Sequence, residues 1–149
     1  MLRGKNTLEA SLNIISPISV CEMPYWGYAN RKKPTLWNII YNELRRRGCK
    51  VDVGMVEQRF VDNDGKWQRK QLEVDFVVNE GNQRYYIQSA LALPDEEKRK
   101  QEMGSLLRIN DSFKKIIIVK DDIKPWRDEN GILTMGLLDF LMNADSLEL

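Results

Sequence analysis

The chain has 149 residues, 42% hydrophobic and 30% charged, with 23 basic and 22 acidic side chains and a net charge of +1. That length suits one domain with a sizeable core, and the balanced charge singles out no nucleic-acid or membrane partner. No stretch approaches the roughly 20 apolar residues of a membrane span, and with histidine absent the Ser–His, Cys–His and histidine–zinc chemistries are excluded. Cys21 and Cys49 form no zinc-ligand spacing, and Met1–Asn6 carries no signal-like apolar run. The expectation is a soluble cytoplasmic domain with reduced thiols.

Residues 1–34 read as irregular, an arm or loop carrying Pro17, Pro24, Pro34, Tyr25-Trp26-Gly27-Tyr28 and Arg31-Lys32-Lys33. A helix is predicted after Pro34, with Thr35 as N-cap, running to about Arg47 before Gly48. Leu36, Trp37, Ile40, Tyr41 and Leu44 form its core face, with Glu43 on the margin. Lys50–Phe60 reads as a strand, followed by an Asp62-Asn63-Asp64-Gly65 turn. Gln71–Val78 alternates, with Leu72, Val74, Phe76 and Val78 on one face and Gln71, Glu73 and Asp75 on the other. After a turn at Glu80-Gly81-Asn82, the strand Arg84–Ala90 puts Tyr86, Gln88 and Ala90 on one face. Pro94 opens a charged helix, Asp95–Leu107. The run Ile116-Ile117-Ile118-Val119 within Phe113–Lys120 has the character of a strand buried on both faces. Ile132–Met135 is a last strand before a helix around Leu137–Met142. Helix, three strands, helix, strand and a small appendage give an α/β chain with a mixed sheet.

This order, with its residues, resembles the PD-(D/E)XK nuclease superfamily. The resemblance implies a restriction-endonuclease-like αβββαβ core, a mixed sheet flanked by helices, over residues 35–149. It places the helix acid at Glu43, in Asn38-Ile39-Ile40-Tyr41-Asn42-Glu43-Leu44, and the strand acid at Asp75, in Glu73-Val74-Asp75-Phe76-Val77-Val78. The acid-x-lysine motif falls on Gln88-Ser89-Ala90. The strands around Asp75 and Gln88 more specifically resemble the nuclease-like domain at the C-terminus of prokaryotic AAA+ family ATPases. No Gly-x-x-x-x-Gly-Lys-Ser/Thr loop occurs in these residues, so the ATPase module itself is missing from them.

Metal-dependent phosphodiester cleavage needs hard oxygen ligands converging on Mg²⁺ or Mn²⁺, with a base or lysine to activate water. Glu43, Asp75 and Gln88 are the candidate metal ligands. Gln88 is neutral, however, and Ala90 offers no amine. In some relatives the lysine has moved to the next helix, which nominates Lys98. The leading expectation is therefore a catalytically degenerate nuclease-fold domain acting as a binding module, with a protein partner or ATPase module and no cofactor. The alternative is an active nuclease rebuilt from Glu43, Asp75, Gln88 and Lys98 with Mg²⁺ or Mn²⁺ and a nucleic-acid substrate. A third is a structural homodimer formed through an open sheet edge. On the leading reading Asp75 is a relic, and Asp75→Asn leaves stability unchanged or higher. The basic clusters Arg45-Arg46-Arg47, Lys98-Arg99-Lys100 and Lys114-Lys115 read as solvated surface. Trp26, Trp37, Trp67 and Trp126 read as packing residues rather than base-stacking platforms.

Overall fold

The computed structural model describes residues 10–15 and 34–149. Its strands are β1 (Ala10–Ile15), β2 (Lys50–Val61), β3 (Trp67–Glu80), β4 (Gln83–Ala90), β5 (Lys114–Val119), β6 (Trp126–Arg127) and β7 (Leu133–Gly136). Among the described residues they form one mixed α/β sheet, ordered β1-β2-β3-β4-β5-β7-β6. β1 to β4 make an antiparallel meander; β5 and β7 then run parallel to β4, and β6 closes the edge antiparallel to β7. The helices are α1 (Pro34–Arg46), α2 (Glu96–Met103) and α3 (Leu137–Met142).

The turn chemistry acts as the sequence suggests. Asp62 accepts hydrogen bonds from the backbone of Asp64 (3.0 Å) and Lys66 (2.8 Å) and from the Gln68 side chain (2.9 Å). Gly65 supplies the left-handed φ of +77° that closes this β2–β3 turn. α2 begins on Asp95, whose carboxylate accepts from the backbone N–H of Lys98 at 2.7 Å, satisfying one of the donors a helix start leaves unpaired.

Three expectations are corrected. Ala10–Ile15, within the segment read as irregular, is the edge strand β1, paired from Ala10↔Gln58 to Ile15↔Val53. Cys21, Trp26, Pro17, Pro24 and Arg31-Lys32-Lys33 lie outside the described residues. α1 starts on Pro34, where a missing N–H costs nothing, so Thr35 is inside the helix rather than its cap. The third correction concerns β3, which does not alternate through its length. Asp52 pairs with Val77 but Gly54 pairs with Val74, so Asp75 and Phe76 together oppose the single residue Val53. This two-against-one bulge flips the faces. Leu72 and Val74 pack with Val77, Tyr86, Met103 and Ile117 on the α2 side. Phe76 and Val78 pack with Ile40, Leu44, Ile87 and Ile118 on the α1 side. Each face of the sheet thereby gains its own core.

Arg47, just past the end of α1, anchors the start of the C-terminal appendage. The Arg47 guanidinium donates to the carbonyls of Ala144 (3.0 Å), Asn143 (3.2 Å) and Phe140 and to Ser146 Oγ (2.9 Å). It lies over the Phe140 ring at 4.5 Å. Phe140 lies in the last turn of α3, where carbonyls lack helical partners, and Asn143 and Ala144 follow its end. At the other end of α3, Gly136 sits against the backbone of the loop that leaves β5. A Cβ there would come within 2.8 Å of the Asp121 carbonyl and 3.0 Å of the Ile123 nitrogen. Because both neighbours are backbone, Gly136→Ala is expected to cost about 1–3 kcal/mol in urea unfolding; an unchanged midpoint would mean that this loop yields freely.

Candidate functional site

β4 leaves β3 where the bulge begins. Their ladder ends at Phe76↔Ile87, while on its other edge β4 stays paired with β5 from Tyr85 to Ala90. Beyond that point side chains replace the backbone ladder. The Asp75 carboxylate accepts from the backbone N–H of Ser89 at 2.8 Å and from Ser89 Oγ at 2.5 Å. In the other direction, Gln88 Oε1 accepts from the backbone N–H of Asp75 at 3.3 Å. Asp75 and Gln88 are thus brought together in a reciprocal clasp across the divergence of two strands.

Glu43 sits in a second arrangement. It is buried rather than marginal, at 9% exposure. Arg46 grips both of its oxygens at 2.7 Å, and Arg47 donates to one at 2.9 Å. The Arg46 hydrogen bonds, reinforced by Arg47 against the opposing effect of burial, hold the Glu43 carboxyl down at about 2. Arg47 connects this carboxylate to the α3 cap, so Glu43 belongs to a network that runs from α1 to the C-terminal appendage. Two guanidiniums govern the charge of Glu43.

Lys98 on α2 pairs with Glu102 at 2.9 Å and donates to Gln101 at 3.2 Å. The helix-face pairing is therefore Lys98–Glu102 together with Arg99–Glu96, rather than the Glu96–Lys100 pair that sequence spacing suggests. Ala90 is fully buried in the α2-side core. No group of three or more acidic or cysteine side chains among the described residues converges as a metal site. A groove of about 990 Å³ lies elsewhere, lined by Ser11, Gln58, Arg59, Leu107, Arg108 and Ile109 among others, and by none of the four candidate residues.

Two residues that organise these arrangements were not given these roles by the sequence, which read Arg47 as solvated surface although its side chain is buried. Ser89 occupies the unspecified middle position of the acid-x-lysine motif, and nothing in one sequence marks it as the partner of Asp75. Arg47 was detectable, since Glu43 and Arg47 stand at i, i+4. The remaining basic clusters are engaged with acids: Arg99 with Asp128 (3.1 Å), Lys114 with Glu148 (3.0 Å) and Lys115 with Asp111 (3.9 Å). Trp37 stacks on Tyr41 and Phe76, with ring centroids 5.2 and 4.9 Å apart. Trp126 carries Arg99 over its ring at 4.2 Å. Trp67 packs on little and is exposed.

No family model matches the chain, and no solved structure matches it. An uncharacterized protein of Haemophilus influenzae is 35% identical over 116 residues, covering 78% of this chain and 24% of the relative. The chain spans about a quarter of the length of that curated relative.

Asp75 is a hydrogen-bond hub, which reverses the expectation for its substitution. Asp75→Asn keeps the shape but turns an acceptor oxygen into a donor or weakens both Ser89 bonds, and is expected to lower stability by about 1–3 kcal/mol. Unchanged stability would return Asp75 to the status of a relic. For Glu43, the folded-state pKa lies below the ordinary carboxylate value of 4.5. Its stabilisation is therefore complete above that value and disappears as pH falls toward 2. Glu43→Gln should lower the urea midpoint at neutral pH and flatten the loss of stability between about pH 5 and pH 2; an acid limb identical to wild type would contradict this.

Proposed function

We propose that the chain is a nuclease-fold domain of PD-(D/E)XK type that no longer cleaves and serves as a binding module within a larger assembly. The observation that carries this reading is the state of Asp75. The carboxylate that would hold the metal accepts two hydrogen bonds from Ser89, and its neighbours in the motif are a neutral Gln88 and a buried alanine, Ala90. The acid on α1 supports the same conclusion, because Glu43 is neutralised by Arg46 and Arg47. The site has kept the positions of the motif and replaced ligand chemistry with strand-to-strand bonding.

A larger assembly is supported by the relative, in which the matching segment is a minor part of a longer chain. A C-terminal position behind an AAA+ type ATPase module is the arrangement we infer, on the resemblance of the Asp75 and Gln88 strands. A rebuilt active site would need an amine delivered to Asp75, and the Lys98 ammonium is engaged by Glu102 and Gln101. No helix among the described residues is long and apolar enough to cross a membrane.

Linear and branched DNA incubated with Mg²⁺ or Mn²⁺ should remain intact with this domain, and Asp75→Ala should behave identically. Metal-dependent cleavage that disappears in Asp75→Ala would overturn the proposal and restore an enzyme.

A further inference from the structure

β2 and β3 outrun their neighbours. β1 covers β2 only from Val53 to Gln58, and β4 covers β3 only from Phe76 to Glu80. Arg59–Val61 and the facing residues 67–69 therefore form a two-stranded ribbon with no other described strand beside it. Register places Val61 opposite Trp67, Arg59 opposite Arg69 and Glu57 opposite Gln71, so Trp67, Arg59 and Arg69 share one face. Trp67 is 73% exposed, and the side chains of Arg59 and Arg69 are 64% and 63% exposed. Two cations directly opposed across strands repel one another. Glu57 lies between them, 3.1 Å from Arg59 and 3.6 Å from Arg69, and one carboxylate shared by two guanidiniums leaves the trio with a net positive charge.

We propose that this ribbon face binds single-stranded nucleic acid, with the Trp67 indole stacking on a base and Arg59 and Arg69 taking backbone phosphates. Exposed aromatic and guanidinium groups together match the two chemistries a single strand offers, a π-face and a phosphate. A protein partner would fit less well: a stable interface buries about 800 Å² on each side, and a ribbon whose strands lie about 4.8 Å apart is too narrow to offer that area on one face. A duplex keeps its bases stacked and leaves the indole without a partner. The proposal is independent of the reading of Asp75, since a strand can bind the ribbon whether or not it is cut.

The test is fluorescence anisotropy of labelled oligothymidylate and oligouridylate at low salt, in the presence of EDTA to remove any contribution of cleavage, with a hairpin duplex as a parallel arm. Binding to the single strands should weaken as salt rises, and Trp67→Ala should reduce affinity about tenfold or more. Arg59→Ala with Arg69→Ala should abolish the salt dependence, whereas Glu57→Gln should tighten binding severalfold by removing the competing carboxylate. These side chains are exposed, and matching circular dichroism and melting curves will show that the variants fold. No binding by the wild type, equal binding by Trp67→Ala, or tighter binding to the hairpin duplex than to the single strands would each overturn the proposal.

Discussion

One extra residue in β3 organises this molecule. Val53 faces both Asp75 and Phe76, and the parity of the strand reverses at that point. Without the bulge, Leu72, Val74, Phe76 and Val78 would all press against one face of the sheet, and β3 would offer the other face only Val77 among Gln71, Glu73 and Asp75. With it, Val74 supports the layer built by Met103, Leu106 and Ile109, while Phe76 supports the layer built by α1 and α3. A sheet covered on both faces is what allows the consecutive Ile116, Ile117, Ile118 and Val119 of β5 all to be buried. The close approach at Gly54 follows from the same distortion. A Cβ there would meet Val77 Cγ2 at 2.9 Å and Val74 Cβ at 3.0 Å, so the strand opposite the bulge has room only for glycine.

The bulge also opens the gap between β3 and β4 that Asp75, Gln88 and Ser89 close. Where two strands part, their backbone donors need other acceptors. The Asp75 carboxylate satisfies Ser89, and the Gln88 amide oxygen satisfies Asp75. A carboxylate engaged in this way is poorly suited to gather a cation, and a neutral Gln88 gives it little help. Glu43 follows the same logic at the α1 end, where Arg46 and Arg47 remove its charge from any metal site and tie it to the α3 cap. In both places an acidic side chain is held in structural bonds.

Much of the fold could be read from the sequence because it is written in local patterns. The apolar face of α1, the Asp62–Gly65 turn, the Gly81 turn and the apolar run of β5 over residues 116–119 are each signalled by residues a few positions apart. The bulge was not legible, because Leu72, Val74, Phe76 and Val78 alternate perfectly along the chain and only the pairing with β2 reveals the reversal. β1 escaped for a related reason: Ala10–Ile15 is a short edge strand whose identity comes from β2 rather than from its own periodicity. Asp75 and Gln88 were singled out from the sequence. Their partners were not, since the bonds from Ser89 depend on how far β4 diverges from β3. The burial of Glu43 was likewise decided by Arg47 reaching the carbonyls of residues 140–144, contacts almost one hundred positions distant.

A double-mutant cycle on Asp75 and Ser89 tests the central claim most directly, using Asp75→Ala, Ser89→Ala and the pair in urea unfolding. The cycle isolates the energy the two side chains share. A clasp predicts a favourable coupling of about 1 kcal/mol or more, with the double variant less destabilised than the sum of the singles. Strictly additive losses would mean that Asp75 and Ser89 act independently, and that the carboxylate remains available for a metal.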